Sequence, residues 1–152
     1  MGRLGDPSRK GWLVLWMLVA ALAAHAANEP TVDQLKARVA SANAGEKPKL
    51  CVQIAQRQLK EADKLYTASE NDKGQAALND TLTYSESARD YAIQSHKYEK
   101  QTEIAVRGMI RKLNDMLHTL SHDEQAPIKE AIGRLQLVRD DLLQSMFPKG
   151  GK

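Results

Sequence analysis

A stretch of 46 residues, 75–120, contains no proline and a single glycine, Gly108. Within this stretch tyrosines recur every seven residues, and small or apolar side chains lie between and beyond them at alternating spacings of three and four. Such spacing is typical of a helical seam and does not fit the alternation of a β-strand. The seam consists of Ala77, Thr81, Tyr84, Ala88, Tyr91, Ser95, Tyr98, Thr102, Ala105 and Met109.

The seam passes through residues 95–103, the most polar part of the stretch. A turn there would divide the stretch into two helices and would produce a four-helix bundle. Because the seam is continuous and turn-forming residues are missing, we expect one uninterrupted helix, about 70 Å long at 1.5 Å per residue.

Three further helices are expected, at about 31–43, 48–69 and 127–147, with a turn over residues 70–74. The last helix carries an apolar stripe that should pack on the second half of the long helix. The chain is thus predicted to be all-α, with helical hairpins packed on one long central helix. A four-helix bundle and tetratricopeptide-like hairpins are the alternatives. The apolar stripe of the last helix consists of Ile128, Ile132, Leu135, Val138, Leu142 and Met146.

The first 26 residues have the pattern of a secretory signal peptide: a basic start, an apolar run over 11–24 and small residues at Ala24 and Ala26. The apolar run would rise only about 21 Å as a helix, less than a hydrocarbon core of about 30 Å. We therefore expect export to the periplasm or the exterior, with an uncleaved anchor as the alternative. Residues 27–147 would form one domain, and 148–152 a flexible tail.

Removal of the signal peptide changes the charge balance. The signal peptide holds three of the 22 Lys and Arg residues and one of the 19 Asp and Glu residues, so residues 27–152 carry a net charge of +1. A nucleic-acid-binding domain would show a dominant basic field, so this class of protein is not indicated.

Cys51 is the only cysteine, so the chain cannot form an internal disulfide. It falls on an apolar stripe, where a thiol packs as a small hydrophobic group. A core position is the favoured interpretation, and an intermolecular disulfide and a reactive thiol are the alternatives.

His118 and His122 are four residues apart, a spacing that places two imidazoles on one face of a helix where they could meet one divalent transition metal. The sequence H-T-L-S-H lacks the glutamate of the H-E-x-x-H zinc-enzyme motif. Ser121 and Glu124 instead have the spacing of a capping box at the start of a helix. A joint between two helices is the favoured interpretation, and a metal site is the alternative.

Two rows of side chains could form an interaction face. Tyr84, Tyr91 and Tyr98 would be packing residues with hydroxyls at the rim, or a ligand or partner surface if exposed. Arg107 and Arg111 follow Lys100 along one face, which could meet anionic lipid or an acidic patch of a partner; the ordinary interpretation is a solvated face.

The stretch ADKLYTASENDKGQAAL, residues 62–78, resembles the turn region of a tetratricopeptide-type hairpin, which would span 48–95. The expected helix starts at 48, 75 and 127 depart from that family's period of about 34 residues. Together with ARDYAIQSHK, TEIAVR and HTLSHDEQ, the chain also resembles small exported helical proteins of bacteria. That resemblance implies export and a helical fold, and it carries over no site residues.

These observations lead to a functional hypothesis: an exported interaction or structural module without catalytic activity, which acts by helix-face contacts with a partner or with itself. The first alternative is a periplasmic metal-binding or metal-stress protein that uses His118 and His122, and the second is an enzyme. The sequence shows no nucleophile with a base, no glycine-rich phosphate loop and no C-x-x-C motif.

Overall fold

The computed structural model describes residues 29–148 of this protein, and the regular structure within them is helical. Within this range there are five α-helices and one 3-10 turn, so the all-α prediction is confirmed. The predicted signal peptide and the last four residues of the predicted tail lie outside the described residues. The elements are α1 (Val32–Ser41), α2 (Lys47–Thr67), α3 (Asn71–Ser95), α4 (Glu99–Leu117), the 3-10 turn (His122–Glu124) and α5 (Gln125–Met146).

The four long helices form two antiparallel hairpins, α2 with α3 and α4 with α5. The five α-helices of residues 29–148 belong to one compact unit that begins at Val32. In the side-chain contacts between the hairpins, residue numbers increase in the same direction along both contacting helices. Helix α3 therefore runs parallel to α5, and α2 runs parallel to α4. These contacts are Asn71 with Glu124, Glu86 with Arg134, Arg89 with Asp141, and Asp63 with Lys112.

The short helix α1 is attached to the first hairpin. Its fully buried Leu35 packs against Leu50 and Ile54 of α2. The Lys36 ammonium lies 2.9 Å from the Asp80 carboxylate of α3. An isolated helix of ten residues is marginal in water, so α1 owes its stability to this docking.

The predicted packing of the last helix is confirmed. One core cluster contains five buried residues of the predicted stripe: Ile128, Ile132, Leu135, Val138 and Leu142. The half-buried side chains of Ile110, Leu117 and Leu120 pack against this cluster. Leu113 and Met116 of α4 belong to the same cluster. The apolar side chains of these helices are thus largely buried against other helices of the same chain.

The prediction of one uninterrupted helix over 75–120 is wrong, and the alternative of a bend is correct. The segment separates at residues 96–98, where His96 and Tyr98 adopt left-handed conformations with φ of 51° and 63°. Each such residue costs about 1–2 kcal/mol. The reversal is nevertheless favourable because it folds α4 back, so that Val106, Met109 and Leu113 join the core that α3 helps to form.

The turn predicted at 70–74 is shorter than expected, because α3 already begins at Asn71. Gly74 therefore lies inside a helix, and its role is close packing. A Cβ atom added there would come within 3.0–3.2 Å of ring carbons of Tyr66, which belongs to α2. The absence of a side chain at this position lets the two helices of the first hairpin approach each other.

Candidate functional site

The predicted histidine pair lies at the joint between α4 and α5, on two different elements. His118 is the capping residue directly after the last residue of α4, whereas His122 begins the 3-10 turn after an extended Ser121. The premise of a shared helical face is therefore wrong, although both histidines are exposed. Within residues 29–148 no group of three or more His, Cys, Asp or Glu is placed to hold a metal ion. Metal binding at His118 and His122 stays a prediction.

Glu124 connects this joint to the first hairpin. Its carboxylate accepts hydrogen bonds from the Ser121 hydroxyl at 2.7 Å, the Asn71 amide at 2.7 Å and the Ser121 N–H at 3.0 Å. These bonds lower the pKa of the Glu124 carboxyl below its ordinary value of 4.5. The spacing of Ser121 and Glu124 predicts a helix start, and the carboxylate also ties this joint to the first residue of α3.

The three tyrosines of the predicted interaction face do not form one row. Tyr84 and Tyr91 are half-buried on α3, and lysine ammonium groups lie over their rings, Lys36 at 5.4 Å and Lys47 at 5.1 Å from the ring centroids. Tyr98 lies beyond the break and is 39% exposed. Tyr84 and Tyr91 thus pack as predicted for rim residues, whereas Tyr98 is available at the surface.

The predicted basic row on α4 is exposed. Arg107 and Arg111 lie on the same side of the helix as Ile104, at distances of three and seven residues along the chain. Arg107 makes a long contact, 3.9 Å, with Glu103, whose carboxylate is held by Arg139 at 2.7 Å. Contact of this row with an anionic partner stays a prediction.

Cys51 is fully buried on α2. Burial in the apolar core raises the pKa of its thiol to about 11, because desolvation disfavours the thiolate. The core position agrees with the favoured interpretation of the sequence.

A groove with a volume of about 770 Å³ lies between α2 and α4. We call it the α2/α4 groove. Leu59 and Met109 form its buried floor, whereas Ile104 on its wall is 45% exposed. Its other lining residues are Val52, Gln56, Lys60, Asp63, Gln101, Ala105, Gly108 and Lys112.

The two ends of the α2/α4 groove differ. At one end the Lys112 ammonium lies 2.6 Å from the Asp63 carboxylate and connects the two helices. At the other end Val52 and Gln101 also line a second recess of about 240 Å³, together with Tyr98 and Thr102. The combined recess follows α4 from Tyr98 to Lys112, which corresponds to a length of about 21 Å.

Gly108 keeps the wall of the groove open. A Cβ atom added to Gly108 would meet no atom within 4 Å, in contrast to the crowded position of Gly74. Sequence reasoning identified Gly108 only as an isolated glycine in a long helix, and it did not single out Ile104. The sequence pattern that would have identified Ile104 and Gly108 is their spacing of four residues, which places both on one face of α4 next to Arg107 and Arg111.

Comparison of the chain with protein-family models, with curated proteins and with solved structures finds no significant match in any of the three. The resemblance to a tetratricopeptide hairpin therefore carries no family assignment. None of the helices within residues 29–148 combines the length and the apolar character needed to cross a membrane.

Proposed function

We propose that this protein is an exported, non-enzymatic binding module, and that the α2/α4 groove receives a helix of a partner protein. The observation that carries the proposal is the exposure of Ile104 in an apolar groove that contains a helical glycine with open space beside it. Helix-in-groove recognition places apolar side chains of a partner helix at intervals of three and four residues into such a recess.

The distribution of charged side chains supports a binding role over a catalytic one. Several partly buried carboxylates of the two hairpins are engaged in contacts between helices, as Glu103 with Arg139 and Glu86 with Arg134 illustrate at 2.7 Å and 2.6 Å, whereas the Glu99 carboxylate lies 3.4 Å from His96. Partly exposed ion pairs of this kind connect neighbouring helices. The groove floor is apolar and suits the burial of a partner's side chains.

Two glycine variants test the proposal. Gly108→Leu fills the α2/α4 groove, whereas Gly133→Leu adds the same side chain to α5, away from the groove; neither new Cβ atom meets anything within 4 Å. Both variants should fold as the wild type does. A photo-crosslinking amino acid at position 104 should capture a protein of the native envelope, and Gly108→Leu but not Gly133→Leu should abolish the capture.

The control position for the crosslinker is Leu137, which is 64% exposed on α5. Equal capture from positions 104 and 137, or capture that survives Gly108→Leu, would contradict the proposal. Capture of a second copy of this chain would identify self-association as the use of the groove.

Export has a separate test. Intact mass measurement of the protein recovered from the envelope should show that the chain begins at Ala27, after signal cleavage. A chain that retains residues 1–26 would support the uncleaved anchor.

The metal alternative is tested by equilibrium dialysis with Zn²⁺, Cu²⁺ and Ni²⁺. Binding that is unchanged by His118→Ala together with His122→Ala would exclude these histidines as ligands.

A further inference from the structure

Cationic side chains lie around the α2/α4 groove, on which the proposed function rests. Lys60 lines the α2 side, and Lys49 lines the smaller recess at the end of the groove. On α4, Lys100, Arg107 and Arg111 lie four residues before, three after and seven after Ile104, and so on the same side of the helix. All five cationic side chains are exposed, and we call them the basic frame.

The acidic groups near the groove do not balance the basic frame. Asp63 is paired with Lys112 at 2.6 Å, and Glu103 is only 7% exposed and is held by Arg139. Exposed Asp115 lies on α4 beyond Lys112, at the end of the groove where Lys112 pairs with Asp63. The Glu99 carboxylate at the start of α4 is 12% exposed and lies 3.4 Å from His96. The exposed charged side chains beside the open part of the groove are therefore mainly cationic, although residues 27–152 are nearly neutral as a whole.

We infer that the occupant of the α2/α4 groove is an amphipathic helix with acidic residues along both flanks of its apolar stripe. Opposite potentials across an interface accelerate encounter and fix the register of the partners. The combined recess is about 21 Å long, which matches a helix of about 14 residues. This inference deepens the proposed function and depends on it.

Two buried side-chain atoms lack a hydrogen-bond partner among the described residues, a carboxylate oxygen of Glu99 and the hydroxyl of Thr102, and the second of them points to a ligand at the open end. The hydroxyl of Thr102, a residue that is 1% exposed and lines the smaller recess, has no hydrogen-bond partner among the described residues. Buried polar groups are nearly always paired. A polar group of the bound helix, placed near Tyr98, would provide the missing partner.

A displayed library of 16-residue helices, with one apolar stripe and randomised flanks, tests the inference on the whole protein. Selection on the wild type should enrich acidic residues at the flanking positions. The best helix should bind at least tenfold more weakly to the variant Arg107→Glu with Arg111→Glu, and binding should weaken as NaCl concentration rises, because exposed charges are screened.

The matched control is Arg38→Glu with Lys129→Glu, which changes the net charge by the same amount at exposed positions off the groove. This variant should retain wild-type affinity within about twofold. An equal loss in both double variants would show that net charge alone attracts the helix, and it would overturn the inference.

The remaining outcomes separate this inference from the proposed function. Neutral or basic flanks in helices that Gly108→Leu excludes would overturn the inference and leave groove binding in place. Helices that bind Gly108→Leu as well as they bind the wild type would overturn both. No enrichment, together with binding to phosphatidylglycerol vesicles that the Arg107→Glu and Arg111→Glu variant loses, would assign the basic frame to a membrane surface and would also overturn both.

Discussion

The close contact between α2 and α3 makes Gly74 the position where adding one methyl group should be most informative. In Gly74→Ala the new Cβ atom would lie 3.0, 3.1 and 3.2 Å from three ring carbons of Tyr66. The ring cannot easily move away, because Tyr66 is 5% exposed and its hydroxyl donates a hydrogen bond to Gln75 at 3.1 Å.

The expected free-energy change has two parts of opposite sign. Replacement of glycine by alanine inside a helix stabilises by about 0.8–1 kcal/mol. Overpacking against a constrained side chain costs about 1–3 kcal/mol. Gly74→Ala should therefore change stability by between about zero and 2 kcal/mol, in the destabilising direction.

Gly133→Ala is the control that isolates the helix-propensity part, since nothing lies within 4 Å of the added Cβ atom. It should stabilise the protein by about 0.8–1 kcal/mol. The difference between the two variants, about 1–3 kcal/mol, then measures the contact with Tyr66 alone.

Urea unfolding followed by circular dichroism measures both variants, and Tyr66→Leu and the double variant Gly74→Ala with Tyr66→Leu complete a cycle. Removal of the ring should make the alanine at position 74 stabilising. If Gly74→Ala stabilises the wild type as much as Gly133→Ala does, the close packing of α2 on α3 through this glycine is refuted.

Three further predictions concern buried and titratable groups. Arg139→Met should destabilise by about 1–3 kcal/mol, because it leaves the 7% exposed Glu103 carboxylate without its closest cation; Arg139→Lys, compared by urea unfolding, should recover part of the loss. Glu124 has a lowered pKa in the folded protein, so its contribution is complete above pH 4.5 and is lost as pH falls through the folded-state pKa. The difference in Tm between wild type and Glu124→Gln should accordingly shrink below pH 4.5, and a difference independent of pH would contradict this assignment. The Cys51 thiol, with a pKa of about 11, should react with a disulfide reagent quickly only after unfolding in urea; rapid reaction of the native protein would contradict burial.

Local signals were the most reliable part of the sequence. The apolar stripe of α5 is a property of one helix, and it correctly predicted which side of that helix is buried. The spacing of Ser121 and Glu124 likewise identified the joint before α5, because a capping interaction involves only neighbouring residues. The same locality explains why the expected start at residue 48 lies within one residue of the observed start of α2 at Lys47.

Two features were decided by tertiary structure. The left-handed residues His96 and Tyr98 oppose local preference, and the reversal forms because burial of α4 against the rest of the core outweighs their cost. A heptad seam cannot report such a reversal, since the spacing of its members is the same in a continuous helix and in two helices that share one core.

The α2/α4 groove is the second such feature. Its residues come from helices whose facing positions are 49 residues apart, as Asp63 and Lys112 show, and nothing local relates them. The sequence by itself determined helix type, apolar faces and the capped joint, because these depend on neighbours along the chain. Only the folding back of α4 decided that Ile104 and Gly108 face a recess beside α2, because that depends on where the rest of the core places each helix.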